Sequence, residues 1–229
     1  MSIERELIIS VLKWTRKQPI SIEIVSKEAK IPHETVENLL EKLQNHGLIY
    51  LQSGLIEVNN LERLKLAVYA LQLGADVERV SNYLQWQEFE QIAVVAFERN
   101  DYRVNKNIRF TYGGRKWEID VVACKKPLVV CVDCKHWHKS MYPSATRKIV
   151  EDQVQRTSAL AEVLPSISQK IGCSFWTTTT LIPTILSLMT GRVRFYDDVP
   201  IVSVIQIQDF LIQLPAHAGE LRHFTRRSM

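Results

Sequence analysis

The sequence predicts an α/β chain in two modules: a small helical module closed by a hairpin, then a mixed β-sheet flanked by helices. Three observations predict it. Residues 3–46 carry apolar side chains at helical spacing (Leu7, Ile8, Val11, Leu12; Val36, Leu39, Leu40, Leu43), the period that marks amphipathic helices. Residues 117–137, WEIDVVACKKPLVVCVDCKHW, read as two apolar strands joined at Lys125-Lys126-Pro127. Beyond them, helical and strand-like segments follow in an order that allows parallel pairing through an intervening helix, which gives a mixed sheet covered on both faces.

Each element has its own signal. Ile3 to Arg16 forms the first helix, closed by Pro19. Ser21 caps a second helix that runs to Ala29, and Ile31-Pro32 makes the turn into a third, His33 to His46, ended by Gly47. Leu48 to Val58 reads as two short strands about Ser53-Gly54. This succession over residues 1–59 resembles a winged helix. Such a module usually lays its third helix in the major groove, but here that helix carries Glu34, Glu37 and Glu41 against Lys42, and phosphates repel an acidic helix. Contact with DNA and contact with a protein partner, a second copy included, both stay open. Residues 60–84 form a helical connector, Leu61 to Leu73 and Val77 to Leu84, with apolar stripes that suit packing rather than a flexible link.

The second domain spans residues 85–229. It opens with a helix from Trp86 to Arg99. Strands follow over Tyr102 to Phe110, Arg115 to Cys124 and Leu128 to Trp137, then a helix from Pro143 to Leu164. Ser174 to Ile182 and Pro200 to Ile205 supply two more strands, Gln208 to Leu214 a closing helix, and the residues from Pro215 a frayed, basic tail.

The central strands carry acids that an ordinary core avoids. Side chains alternate along a strand, so Asp133 and Lys135 share a face, and closure of the hairpin brings Asp120 nearly opposite Asp133. Two carboxylates in an apolar frame repel each other and lose hydration unless a cation compensates. The rival set Cys131, Cys134, His136 and His138 does not suit zinc, because Cys131 faces away from the other three on a continuous strand.

Asp120 followed by Asp133-Cys134-Lys135 resembles the signature of the PD-(D/E)XK, or restriction-endonuclease-like, nuclease superfamily. The extension DCKHW before a loop and a long helix is most similar to its Mrr-like and archaeal junction-resolvase branches. The first motif departs from the pattern, with Glu118-Ile119-Asp120 in place of a proline before the aspartate. The resemblance implies a restriction-endonuclease-like mixed sheet and a DNA endonuclease that uses Mg²⁺, with Mn²⁺ as an alternative, and acts as a homodimer. It also implies a metal-contacting glutamate on the first helix of the domain. Glu90 fits that role better than Glu88, since its helical neighbours Trp86, Ala93 and Val94 are apolar.

Phosphodiester hydrolysis needs an activated water and a counter-charge for the developing negative phosphorus centre. Asp120 and Asp133 are the expected metal ligands with the Cys134 carbonyl as a third, and Lys135 orients or deprotonates the water. Arg115, Lys116, Lys139 and Lys148 are candidates to hold the nucleic-acid backbone. His136 is a substrate-side contact or a surface histidine. Gln153 and Arg156 lie on the long helix that borders the site in the resembled fold, where each touches substrate or water, or is simply solvated.

Charge is distributed to suit. The chain of 229 residues carries a formal +4. Residues 1–59 hold 7 Lys/Arg and 8 Asp/Glu, whereas residues 99–148 hold 12 and 4, a net of +8 around the acids, where a polyanion would dock. Four cysteines in apolar stretches are expected as reduced thiols. The lack of a long apolar run and of a secretory leader leads us to expect a cytoplasmic protein with no membrane contact. An RNA-processing nuclease, or a non-catalytic DNA-binding or regulatory protein on a nuclease-like fold, would present many of the same features.

Overall fold

The computed structural model describes residues 2–76, 79–80, 82–135, 143–187 and 193–227. Contacts divide the chain into two units, Met1–Phe89 and Glu90–Met229. In the first, α1 (Ile3–Trp14), α2 (Ile22–Ala29) and α3 (His33–Asn45) accompany strands β1 (Ile20–Ser21), β2 (Tyr50–Gln52) and β3 (Leu55–Glu57). The strands form an antiparallel sheet in the order β1-β3-β2. Ser2 and Ser21 accept hydrogen bonds from Arg5 N and Ile24 N at the starts of α1 and α2, satisfying amides that a helix cannot pair internally.

Helix α4 (Asn60–Gln72) begins in a reciprocal cap between Asn59 and Glu62 and packs on α1. Its Arg63 is buried. It donates to Leu12 O and Thr15 Oγ1 at 2.9 Å, to Tyr83 O at 2.6 Å and to Glu88 Oε1 at 2.5 Å. Glu88, 1% exposed, also accepts from Gln85 N at 2.6 Å, so the buried pair is saturated with charge-assisted bonds that offset its desolvation. Of the connector helix expected over Val77 to Leu84, Val77, Glu78 and Ser81 lie outside the described residues; Arg79 and Val80 are helical, and Asn82 and Tyr83 form a turn.

The division between units falls within α5 (Trp86–Arg99). The second unit holds a mixed sheet. Its strands are β4 (Arg103–Tyr112), β5 (Arg115–Lys125), β6 (Leu128–Lys135), β7 (Thr178–Ser187), β8 (Phe195–Tyr196), β9 (Val199–Ser203) and β10 (Phe224–Arg227). They lie in the order β4-β5-β6-β7-β9-β8, with β10 beside β7. β4, β5 and β6 form an antiparallel meander, while β6–β7 and β7–β9 are parallel. The crossover from β6 to β7 is α6 (Pro143–Ile171), and α7 (Ile207–His217) follows β9. The expected mixed sheet flanked by helices is therefore present.

Every residue from Leu128 to Cys134 is buried, which is why β6 reads as an apolar run rather than an alternating one. On one side Val122, Val129, Cys131 and Leu181 pack against Leu160, Ala161 and Leu164 of α6. A second cluster joins Val150 of α6 to Ile185, Val199 and Ile201. All four cysteines are buried and free. No helix among the described residues is long and apolar enough to cross a membrane.

Three expectations are corrected. Helix α6 does not stop at Leu164; it runs through Pro165 to Ile171 and ends at Gly172, whose φ of +88° suits a residue without a side chain. Proline cannot donate to the carbonyl four residues back, Ala161 O. Arg226 Nε supplies that bond at 3.0 Å, and its guanidinium also pairs with Glu162. The tail is accordingly not frayed: α7 continues past Pro215, and β10 pairs antiparallel with Thr178 to Leu181. The strand expected over Ser174 to Ile182 is displaced to Thr178–Ser187. Its Pro183 falls between the stretch paired with β10, ending at Leu181, and that paired with β9, starting at Ile185, where a missing donor costs the sheet least.

Arg226→Ala should lower stability in urea unfolding by about 1 kcal/mol, because Ala161 O loses its partner. Adding Pro165→Ala restores an amide donor and should shrink that cost. An equal cost in both backgrounds would contradict the pairing.

Candidate active site

β5 and β6 part at the residue where both carry an aspartate. Their ladder runs from Lys125↔Leu128 to Val121↔Val132 and ends there, one step short of Asp120 and Asp133. β6 continues along its other edge, paired with β7 as far as Lys135↔Ser187. In the opening, Cys134 N donates to Asp120 Oδ2 at 2.8 Å, so a side-chain carboxylate takes over where a backbone carbonyl would accept.

Asp133 is 2% exposed and faces α6. Arg156 Nη1 of that helix lies 2.5 Å from its Oδ1, and Lys135 Nζ lies 2.7 Å from its Oδ2. The lysine contact is an ion pair without hydrogen-bond alignment, which leaves Oδ2 a buried acceptor with no hydrogen bond. Burial pushes the Asp120 carboxyl up to about 6; the amide of Cys134 opposes this, the negative charge of Asp133 adds to it, Lys135 opposes it, and Glu90 adds to it. Glu90 on α5 is thus within electrostatic reach of both strands. Burial, reinforced by Asp120, Glu90 and Asp133, holds the Cys134 thiol well above its ordinary value, so without a metal ion it stays protonated.

The donor set suits a hard cation. It offers carboxylate oxygens, one of them buried in an ion pair with Lys135 but without a hydrogen bond, and an acid whose charged form is held at a cost until a positive charge arrives. Mg²⁺ accepts few protein ligands and keeps several waters. Among the described residues no group of three or more His, Cys, Asp or Glu side chains that could hold a metal ion is found; His136 and His138 of the rival zinc set lie outside the described residues.

The remaining expectations fare unequally. Arg115 and Lys116 are exposed at the start of β5, with the Arg115 guanidinium 4.1 Å from the centre of the Trp117 ring. Lys148 is exposed on α6. His136 and Lys139 lie outside the described residues. Gln153 is corrected: it has no exposed surface and donates from Nε2 to Cys131 O at 2.7 Å, so it braces β6 against α6 instead of reaching a nucleic acid. Glu88 belongs to the Arg63 network, which leaves Glu90 as the acid of α5 near the strands.

Arg156 is the residue whose part the sequence understated. Its signal was present, since Gln153, Arg156 and Thr157 interrupt the apolar stripe of α6 within a little over one turn, and polar residues inside such a stripe need partners.

Residues 78–170 match the family model of NERD, the nuclease-related domain. That stretch, less than half of the chain, contains Glu90, Asp120, Asp133, Lys135 and Arg156. An uncharacterized protein of Archaeoglobus fulgidus is 27% identical over 138 residues, 60% of this chain and 97% of that one. Among solved structures, protein VC1899 from Vibrio cholerae is similar at a TM-score of 0.37 with 13% identity, covering 93% of this chain and 51% of that one. The restriction endonuclease FokI gives 0.39 with 14% identity, covering 93% and 44%. This chain spans about half the length of these solved structures or less.

The raised Asp120 carboxyl has a consequence for stability. The folded protein holds this proton more tightly than the unfolded chain, so this group's contribution to stability is full below about pH 4 and is lost as pH rises through about 6. Without divalent cation, Asp120→Asn should melt above the unmodified protein near pH 8, with the gap shrinking toward pH 5. Scanning calorimetry across pH checks it; a gap of the same size throughout would contradict it.

Proposed function

We propose that the second unit is a Mg²⁺-dependent DNA endonuclease, with Asp120 and Asp133 as metal ligands and Glu90 in support. The observation that carries the reading is the buried Asp133 carboxylate, with one oxygen lacking a hydrogen bond, set beside an Asp120 carboxyl raised to about 6. The nuclease-related match over residues 78–170 supports the reaction class. The ion, when bound, lowers the pKa of a coordinated water and offsets charge on the phosphate.

The chain's own groups do the rest. Arg156 holds Asp133 Oδ1, and Oδ2, beside Lys135, is the oxygen that would be offered to the ion. Lys135, a quarter exposed and 2.7 Å from that oxygen, orients the attacking water and stabilises negative charge as the water oxygen bonds to phosphorus and the ester P–O bond breaks. The Cys134 carbonyl is available as a third ligand. Lys116 sits four residues before Asp120 on β5, about 13 Å away at strand rise, and holds a neighbouring phosphate together with Arg115; Lys148 does so from α6. One such centre cuts one strand, so cleavage of a duplex calls for a homodimer. The first unit, with three helices and a small antiparallel sheet, has the element order of a winged helix. Its α3 exposes Glu34, Glu37 and Glu41, which favours contact with protein over the major groove.

A second reading is favoured by the same cluster. Arg156 and Lys135 neutralise Asp133 without any ion, as a DNA-binding protein that had lost catalysis would require.

Plasmid, branched and single-stranded DNA incubated with Mg²⁺ or Mn²⁺ separates the two. The unmodified chain should cleave, and Asp133→Asn and Lys135→Ala should each lower the rate by about 10²- to 10⁴-fold. Cleavage that survives both changes contradicts the assignment, and binding with no cleavage in either metal supports the second reading.

A further inference from the structure

The feature that sets Asp120 apart lies on the neighbouring strand. From Arg115 to Cys124 every residue of β5 has a partner in β4 except Asp120. The register passes from Lys106↔Val121 directly to Ile108↔Ile119, so Asn107 and Asp120 face each other unpaired. Pairing resumes unshifted. Neither strand gains a residue, so this is not a bulge that re-aims the rest of the strand; it is an interruption one residue long.

Its cause is the backbone of Asn107, which adopts φ +51°. Among the described residues, the other non-glycine residues with positive φ (Lys30, Ser53, Asp101, Asp197, Asp198) lie in turns or at a helix end; Asn107 alone lies within a strand. Asparagine bears the left-handed conformation more readily than other side chains of its size. Asn107 is exposed, so core packing does not impose the conformation. Strained backbone of this kind persists where the surroundings use it. Here the interruption meets the end of the β5–β6 ladder at Val121↔Val132, and Asp120 is released from strand pairing on both sides.

We infer that Asn107 is a positioning residue for the acid pair: by breaking the β4–β5 ladder opposite Asp120 it frees that residue's backbone, so that its carboxylate turns onto Cys134 N–H and toward Asp133. The inference rests on the metal-binding reading above. A continuous ladder would hold Asp120 flat in the sheet, with its carboxylate displaced from the opening between β5 and β6. Asn107 touches no substrate and acts only through the strand.

Three substitutions test it, read by Mn²⁺ and Mg²⁺ titration of melting temperature and by calorimetric binding. Asn107→Val disfavours positive φ and favours strand, so it should close the ladder. Its metal-free melting temperature should not fall, while its Mn²⁺ affinity should drop by about tenfold or more. Asn107→Gly, which takes positive φ freely, should bind Mn²⁺ as the unmodified protein does. Asn107→Ala should weaken binding in the same direction as valine but less, and it decides the matter if valine impairs folding. Affinity unchanged in the valine and alanine variants, or lost equally in the glycine variant, overturns the positioning role. An unmodified protein with no response to either metal overturns the metal-binding reading itself, and this inference with it.

Discussion

The second unit depends on keeping a carboxylate charged at the inner end of a fully buried strand. Asp133 is almost sealed from solvent, and an isolated ion there costs several kcal/mol. Two cations oppose that cost, Lys135 from the same strand and Arg156 from α6. Lys135 relieves Asp120 only in part: the Asp120 carboxyl still stands raised to about 6, with the amide of Cys134 as its hydrogen-bond donor. The cluster is therefore stable enough to fold and still short of positive charge, the condition in which a hard divalent ion binds to greatest effect.

Much of the sheet serves that arrangement. The parallel step from β6 to β7 requires a crossover, and α6 provides it; the same helix brings Arg156 to Asp133 and Gln153 to the carbonyl of Cys131. Continuing α6 beyond Pro165 leaves one carbonyl without its helical donor. The C-terminal strand closes that gap with Arg226 while covering part of the open edge of β7. A local defect in the helix and the placement of the chain's end are thus one solution.

What was legible in the sequence follows from range. Asp120, Asp133 and Lys135 could be placed together because strand alternation and a hairpin turn are local, and the structure puts them on adjacent strands about the same opening. The end of α6 was misread because proline is a stop signal only when nothing distant replaces the missing bond; Arg226, sixty-one residues on from Pro165, does so. β10 was read as a tail because four residues such as Phe224–Arg227 become a strand only beside an edge that needs one. The Thr-rich, aromatic run from Ser174 draws the strand too early, whereas pairing with β10 starts it at Thr178. Gln153 reads in sequence as a substrate contact or a solvated residue, since a glutamine that braces a backbone carbonyl looks no different there.

Anomalous diffraction from crystals grown with Mn²⁺ tests the central claim most directly. The account predicts a peak at about 2 Å from carboxylate oxygens of both Asp120 and Asp133, with Arg156 still on the other oxygen of Asp133. A site left without a peak under saturating Mn²⁺, or a peak remote from both acids, would contradict it.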